Sequence, residues 1–179
     1  TLIAAVMLFP AAALAGGYAI PNENARDLAL GQSAVAAQSG PEAIFQNTAA
    51  LAGQRGFAVS GSLEMLDNKT SWEDSLGTAS TKSRPNFPPA LSVAYGSQLQ
   101  NGMNWGLGAG LFVPAGGSLY WPDQWAGATR IQSVSQQTIV GRAGAALQPL
   151  EYLKVGAAFV YYQVTEKFVE LIAPVLQQA

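Results

Sequence analysis

The stretch Met103–Pro114 narrows the possible folds more than any other part of the chain. Its odd positions, Met103, Trp105, Leu107, Ala109, Leu111 and Val113, are all apolar. The even positions before Pro114 are Asn104, Gly106, Gly108 and Gly110, with Phe112 the one large apolar residue among them. Side chains alternate across a strand, so a period of two puts a continuous apolar row on one face and a small or polar row on the other. A helix would scatter both sets around its circumference. The segment is long enough to cross a bilayer as a tilted strand, which takes about 9–11 residues. Trp105 lies near one end, and Tyr120, Trp121 and Trp125 follow beyond the other, where membrane-interface aromatics are expected. A single strand of a soluble β-sandwich has the same pattern, so the rest of the chain must separate the two.

The same period recurs from Gly56 onward. Phe57, Val59, Leu63 and Met65 alternate with Ala58, Ser60, Ser62 and Glu64, and Asp67–Pro89 reads as a long polar loop. Leu91, Val93 and Tyr95 alternate with Ser92, Ala94 and Gly96 before the tight turn Gln100-Asn101-Gly102. After Pro114, which is expected to end its strand, a second long loop, rich in aromatics, runs to about Thr129. Ile131–Leu147 is predicted as a longer strand whose apolar face is broken by Ser133, Ser135 and Gln137. Gln148-Pro149-Leu150-Glu151 is a tight turn, and Leu153, Val155, Ala157, Phe159 and Tyr161 then alternate with Lys154, Gly156, Ala158, Val160 and Tyr162. The connections therefore alternate long, short, long, short, as in outer-membrane barrels with long external loops and short periplasmic turns. Lys69, Glu73, Asp74, Lys82, Arg84, Asp123 and Arg130 fall in the two long loops, and Glu64, Arg142 and Lys154 fall opposite the apolar face.

Composition closes off several classes of function. Only 11% of residues are charged and the net charge is −2, which leaves no basic footprint for nucleic acid. The chain has neither cysteine nor histidine, so disulfides, thiolate or imidazole metal sites and Ser-His or Cys-His catalysis are excluded. No catalytic residue, metal ligand or cofactor is expected, and the chain is not expected to be an enzyme. Gly106-Leu107-Gly108-Ala109-Gly110 superficially suggests a nucleotide loop, but no helix follows it. Glu73-Asp74 is read as a solvated loop pair and not as a Ca²⁺ site.

Residues 1–15 form an apolar run ending in Ala13-Leu14-Ala15, a small-x-small cleavage pattern, and are expected to be a signal peptide truncated at its start. Residues 16–53 change character. Asn24 is placed to cap a helical stretch from Ala25 to Leu30, Ser33–Gln38 is Ala-rich, and a second short helix is predicted from Glu42 to Leu51. Segments with so little bulk cannot bury enough apolar area alone to offset their chain entropy. This part is therefore read as a plug packed inside something larger.

The order of these parts resembles a known family. Gly16-Gly17-Tyr18-Ala19-Ile20-Pro21-Asn22-Glu23-Asn24-Ala25-Arg26-Asp27-Leu28-Ala29-Leu30-Gly31, an Ala-rich segment, and Ala43-Ile44-Phe45-Gln46-Asn47-Thr48-Ala49-Ala50-Leu51 are similar to the start of the FadL/TodX outer-membrane transporters of long-chain fatty acids and hydrocarbons. Trp105-Gly106-Leu107-Gly108 followed by Val113-Pro114-Ala115-Gly116 is similar to that family's Gly-rich strand. Thr48 stands where the family usually has proline. The resemblance implies an all-β fold, a transmembrane antiparallel β-barrel of about fourteen strands, of which this chain supplies about five, over residues 54–168. Residues 169–179 read as a truncated or divergent tail.

The resemblance further implies a hatch over residues 16–53, with Gly16, Tyr18, Asn22, Asn24, Arg26 and Asn47 as its marker residues. It implies passive passage of a hydrophobic ligand, by hatch movement or through a lateral opening in the third strand, in the bacterial outer membrane. The partners implied are that ligand and outer-membrane lipid, with the full-length protein a monomer. Gly106, Gly108 and Gly110 would permit a bend and close approach of ligand, or would instead admit the hatch against the wall. Phe45 and Phe112 would line the ligand path or simply fill space. The rival readings are a soluble periplasmic lipid-binding β-barrel, with its apolar face inward, and a structural barrel or adhesin.

Overall fold

The computed structural model describes residues 24–31 and 34–170. The expected signal peptide, Gly16, Tyr18, Asn22 and residues 171–179 lie outside the described residues.

The chain is an antiparallel all-β structure. Among the described residues seven strands form: β1 Gly56–Leu63, β2 Ser71–Asp74, β3 Gly77–Ser80, β4 Pro89–Gln98, β5 Asn104–Tyr120, β6 Ser133–Leu150 and β7 Leu153–Val169. Five of them make one sheet in the order β1-β4-β5-β6-β7, every neighbouring pair antiparallel, and β2 and β3 form a separate hairpin. The sheet is not closed: β1 and β7 are its edges.

The connections explain this order. At one end, Leu99 donates its N–H to the Met103 carbonyl (2.8 Å) and Gly102 adopts φ +84, a left-handed conformation that glycine takes without penalty. Beside it, β6 and β7 are joined by Glu151 and Tyr152 alone. At the other end lie the two long connections, residues 64–88 and 121–132.

Several boundaries differ from expectation. The first long loop contains the β2–β3 hairpin, and an isolated bridge pairs Leu66 with Asn86. Pro114 does not end β5, which continues to Tyr120. Phe112 pairs with Val140 and Ala115 with Thr138, so Val113 and Pro114 together face Ile139 as a bulge. A bulge leaves its extra residue outside the ladder, which is where a residue without an N–H does least harm. The Ser133, Ser135 and Gln137 interruption belongs to the loop-side half of β6, whose ladder with β7 runs on to Val169. The expected helix from Glu42 to Leu51 splits at Asn47 into a single α-turn, α2 (Ala43–Gln46), and a 3₁₀ turn (Thr48–Gly53). Before them come α1 (Ala25–Ala29) and a 3₁₀ turn at Ala34–Ala37.

Register makes the two faces of the sheet explicit. One face carries the rows Phe57–Tyr95–Leu107–Ala145–Ala157, Val59–Val93–Ala109–Ala143–Phe159 and Gly61–Leu91–Leu111–Gly141–Tyr161, read across β1, β4, β5, β6 and β7. No charged residue occurs in them, and Phe57, Val59, Leu91, Tyr95, Leu107, Leu111, Phe159 and Tyr161 are exposed. The opposite face carries Gly56–Gly96–Gly106–Ala146–Gly156, then Ala58–Ala94–Gly108–Gly144–Ala158, then Ser60–Ser92–Gly110–Arg142–Val160. This second face is covered by residues of the N-terminal segment. The buried core lies between them: Ala43, Ile44, Leu51 and Ala52 against Ala94, Phe112 and Ala146.

Candidate functional site

The region with most functional content is the covered face and the segment lying on it. Two rows of glycine and alanine leave a shallow trough across the strands, and residues 49–54 run along it. A Cβ built on Gly156 of β7 would stand 2.7 Å from the Ala49 nitrogen, and one on Gly108 of β5 would stand 2.8 Å from Leu51 Cδ1. One on Gly106 would overlap the Leu51 carbonyl, and one on Gly96 of β4 would overlap that of Gln54. The segment therefore crosses from β7 to β4 in van der Waals contact with backbone. Of the two roles open to these glycines, Gly106 and Gly108 make room for this segment. Gly110 makes room for the ring of Phe112, whose Cε2 would be 2.6 Å from a Cβ there.

The segment is tied together by the polar residues that its sequence singles out. Asn47 Nδ2 donates to the Val35 carbonyl (3.0 Å), linking the first 3₁₀ turn to the second. Gln38 Nε2 donates to Gln46 Oε1 (3.1 Å), and Arg26 Nη1 donates to Ser39 Oγ. The Asn24 carbonyl accepts from Leu28 N–H (3.2 Å), which starts α1.

Phe45 and Phe112 pack as a tilted pair with ring centroids 4.7 Å apart, Phe112 being almost wholly buried. Arg142 reaches from β6 to the same place. Its Nη1 donates to the Phe45 carbonyl and its guanidinium carbon lies 4.6 Å from the Phe45 ring centre. Arg142 Nε is buried and has no hydrogen-bond partner among the described residues. Sequence reasoning placed Arg142 on this face but gave it no role; its partner is 97 residues away in the chain, so no local signal announces the contact. Lys154 also points to this face, with Nζ 3.4 Å from a Cβ built on Gly53.

Beyond the bulge the same face opens. β4 pairs with β5 only as far as Leu91–Leu111, so Phe112–Tyr120 has no β4 partner. A cavity of about 180 Å³ lies there between Leu66, Asn86, Phe87 and Pro88 on one side and Val113 and Gly116–Ser118 on the other. A larger one, about 720 Å³, is lined by Asp67, Asn68, Lys69, Thr70, Gly117, Leu119, Val134, Gln136 and Glu166. Among the described residues no group of three or more acidic side chains is placed to hold a metal ion.

The four expected interface aromatics separate into two groups. Trp105 lies at the short-turn end, on the exposed apolar face, with its ring 5.8 Å from Tyr95. Trp121 and Trp125 lie in the 121–132 connection at the other end. They stack at 4.1 Å, Trp72 of β2 meets Trp125 edge-on at 5.6 Å, and Trp121 is buried. Trp125 Nε1 donates to the Ile131 carbonyl (2.9 Å), so this cluster pins the β2–β3 hairpin to the 121–132 loop. Tyr120 is capped by the Arg84 guanidinium at 4.1 Å. These rings reach each other through loop folding, which a strand pattern does not encode.

Compared with known proteins, the chain matches no family model, no curated protein and no solved structure.

Proposed function

We propose that this chain forms the hatch and the first five wall strands of an outer-membrane β-barrel that passes hydrophobic compounds passively. The observation that carries this reading is the pairing of faces. A soluble lipid binder would turn its apolar face inward, whereas here three uncharged rows across five strands are exposed and the Gly/Ala rows are covered. In a bilayer the exposed rows meet acyl chains, the short turns face the periplasm and the long connections face outward. The two free edges would be closed by further strands, since unpaired backbone groups in hydrocarbon cost several kcal/mol each.

Under this reading residues 34–53 belong to the hatch, and the trough of small residues is its seat. The 720 Å³ cavity is the outer vestibule. The bulge at Val113–Pro114, with the smaller cavity beside it, is the weak place in the wall through which a ligand leaves sideways. The chemistry is partition and diffusion and needs no cofactor. Fatty acids and aromatic hydrocarbons are the ligand classes that the motif resemblance implies.

The test is fractionation of the full-length gene product, heat-modifiability of its band on a gel, and uptake of labelled oleate or toluene into proteoliposomes. Outer-membrane localisation, a heat-shifted band and protein-dependent uptake are expected. A protein found soluble in the periplasm and binding lipid without detergent would sink the transporter and put the soluble binder in its place.

A further inference from the structure

We propose that Arg142 is a positioning residue that latches the hatch shut and ties it to the bulge in β5. The proposal rests on reading residues 34–53 as part of the hatch. A guanidinium taken out of water needs hydrogen-bond acceptors or a π face in compensation. The partners that Arg142 has among the described residues are a carbonyl and an aromatic ring, and both belong to Phe45. No carboxylate there lies within ion-pairing distance of it; the ion pair among those residues, Lys82 with Asp123, is in the long connections. The cation therefore holds the segment at one residue, and loses both partners together when that residue leaves.

Phe45 is also where the segment meets the weak point of the wall. Its ring packs on Phe112, the residue immediately before the Val113–Pro114 bulge. Arg142 stands opposite Gly110 in the β5–β6 ladder, the glycine that makes room for the Phe112 ring. Arg142, Phe45 and Phe112 thus form one chain of contacts from β6 through the hatch to β5. Withdrawing Phe45 removes the ring packed on Phe112, beside the bulge, so hatch departure and loosening of the wall become a single event. Lysine cannot replace arginine fully, because an ammonium donates to a carbonyl but does not lie flat on a ring.

The chain has no cysteine, so a single introduced one reports hatch departure. Ala52, within the hatch, is fully buried against the sheet, and Ala128, buried in the tryptophan-pinned loop, serves as control. Full-length protein carrying Ala52→Cys or Ala128→Cys is labelled in detergent with a water-soluble maleimide. Losing a charged hydrogen bond together with a cation–π contact raises the open population about tenfold or more. Arg142→Gln is therefore expected to speed labelling at position 52 by at least that factor with position 128 unchanged, and Arg142→Lys to fall between. Unchanged labelling at position 52 in Arg142→Gln overturns the latch.

If position 128 also becomes reactive, the variant has lost its fold and Phe45→Leu decides, since it removes the ring and keeps the carbonyl. Faster labelling at position 52 then supports the latch and no change overturns it. Oleate or hexadecane added to otherwise unaltered protein separates the two ideas. Transport predicts faster labelling at position 52 on addition; a fast Arg142→Gln with no such response retains the latch and removes the transport reading.

Discussion

At Gly106 there is no room for even a methyl group, because the Leu51 carbonyl occupies the space where a Cβ would stand. Gly106→Val therefore has to lift the segment off the sheet, an overpacking that costs about 1–3 kcal/mol. The matched control is Gly61→Ala on the exposed face, where a Cβ would keep 3.8 Å from the Ala90 carbonyl. We expect a lowered urea midpoint in detergent for the first and none for the second. Thr48 carries a different kind of prediction. It opens a 3₁₀ turn, the position where proline is well tolerated, and Asn47 before it has φ −145 and ψ 80, outside the helical region that a following proline disfavours. Thr48→Pro should raise stability by about 0.4–1 kcal/mol through loss of freedom in the unfolded chain, seen as a higher midpoint. The sequence made the small face of β5 legible, but not what lies on it. Gly106 and Gly108 read equally well as a bend or as a seat, because their meaning is set by Leu51, a residue more than fifty positions away.

The sheet strands were legible as elements because each carries apolar residues repeating with period two. What failed to show was the length of β5 and β6. Pro114 is a strand-ending signal read locally, and only the two-against-one register with Ile139 reveals that it sits in a bulge. Ser133, Ser135 and Gln137 look like a broken apolar face, yet they pair with Val169, Lys167 and Thr165 in a continuous ladder that leaves the apolar belt behind. The hairpin β2–β3 was hidden because its strands are four residues long and Trp72 is the one large apolar side chain on them, too little to show an alternation. The belt has a depth limit under the proposed reading. Val93 lies in its middle row and Gln137 beyond its edge. Arginine at the bilayer midplane costs roughly 2–4 kcal/mol and roughly 0–1 near the interface. Val93→Arg should therefore destabilise the full-length protein in lipid bilayers by that larger amount, with Gln137→Arg nearly neutral in the same refolding titration. Equal small effects would mean that neither residue meets hydrocarbon.

For the molecule as a whole, the tryptophans report how it sits in its surroundings. Trp105 stands with Tyr95 at the short-turn end of the apolar belt, where an amphipathic ring is favoured at a membrane interface. Trp72, Trp121 and Trp125 belong to the loop cluster at the opposite end and hold one another. The sequence counted all of these except Trp72 towards the two ends of one span, because proximity to β5 in the chain was the only distance available. Under the proposed reading a strand crossing about 30 Å of hydrocarbon separates the two groups, and Trp105 is the one expected to meet lipid. Full-length protein retaining Trp105 alone, with its other tryptophans changed to Phe, should be quenched in bilayers brominated near the head group and less by bromine at the chain ends. A protein retaining Trp125 alone should be quenched by neither, because its ring is stacked in a protein cluster beyond the belt. If both are quenched alike, the loop cluster lies in the membrane and the depth assigned to the belt is wrong. If neither responds, the exposed apolar rows meet something other than a bilayer, and a protein partner becomes the occupant to look for.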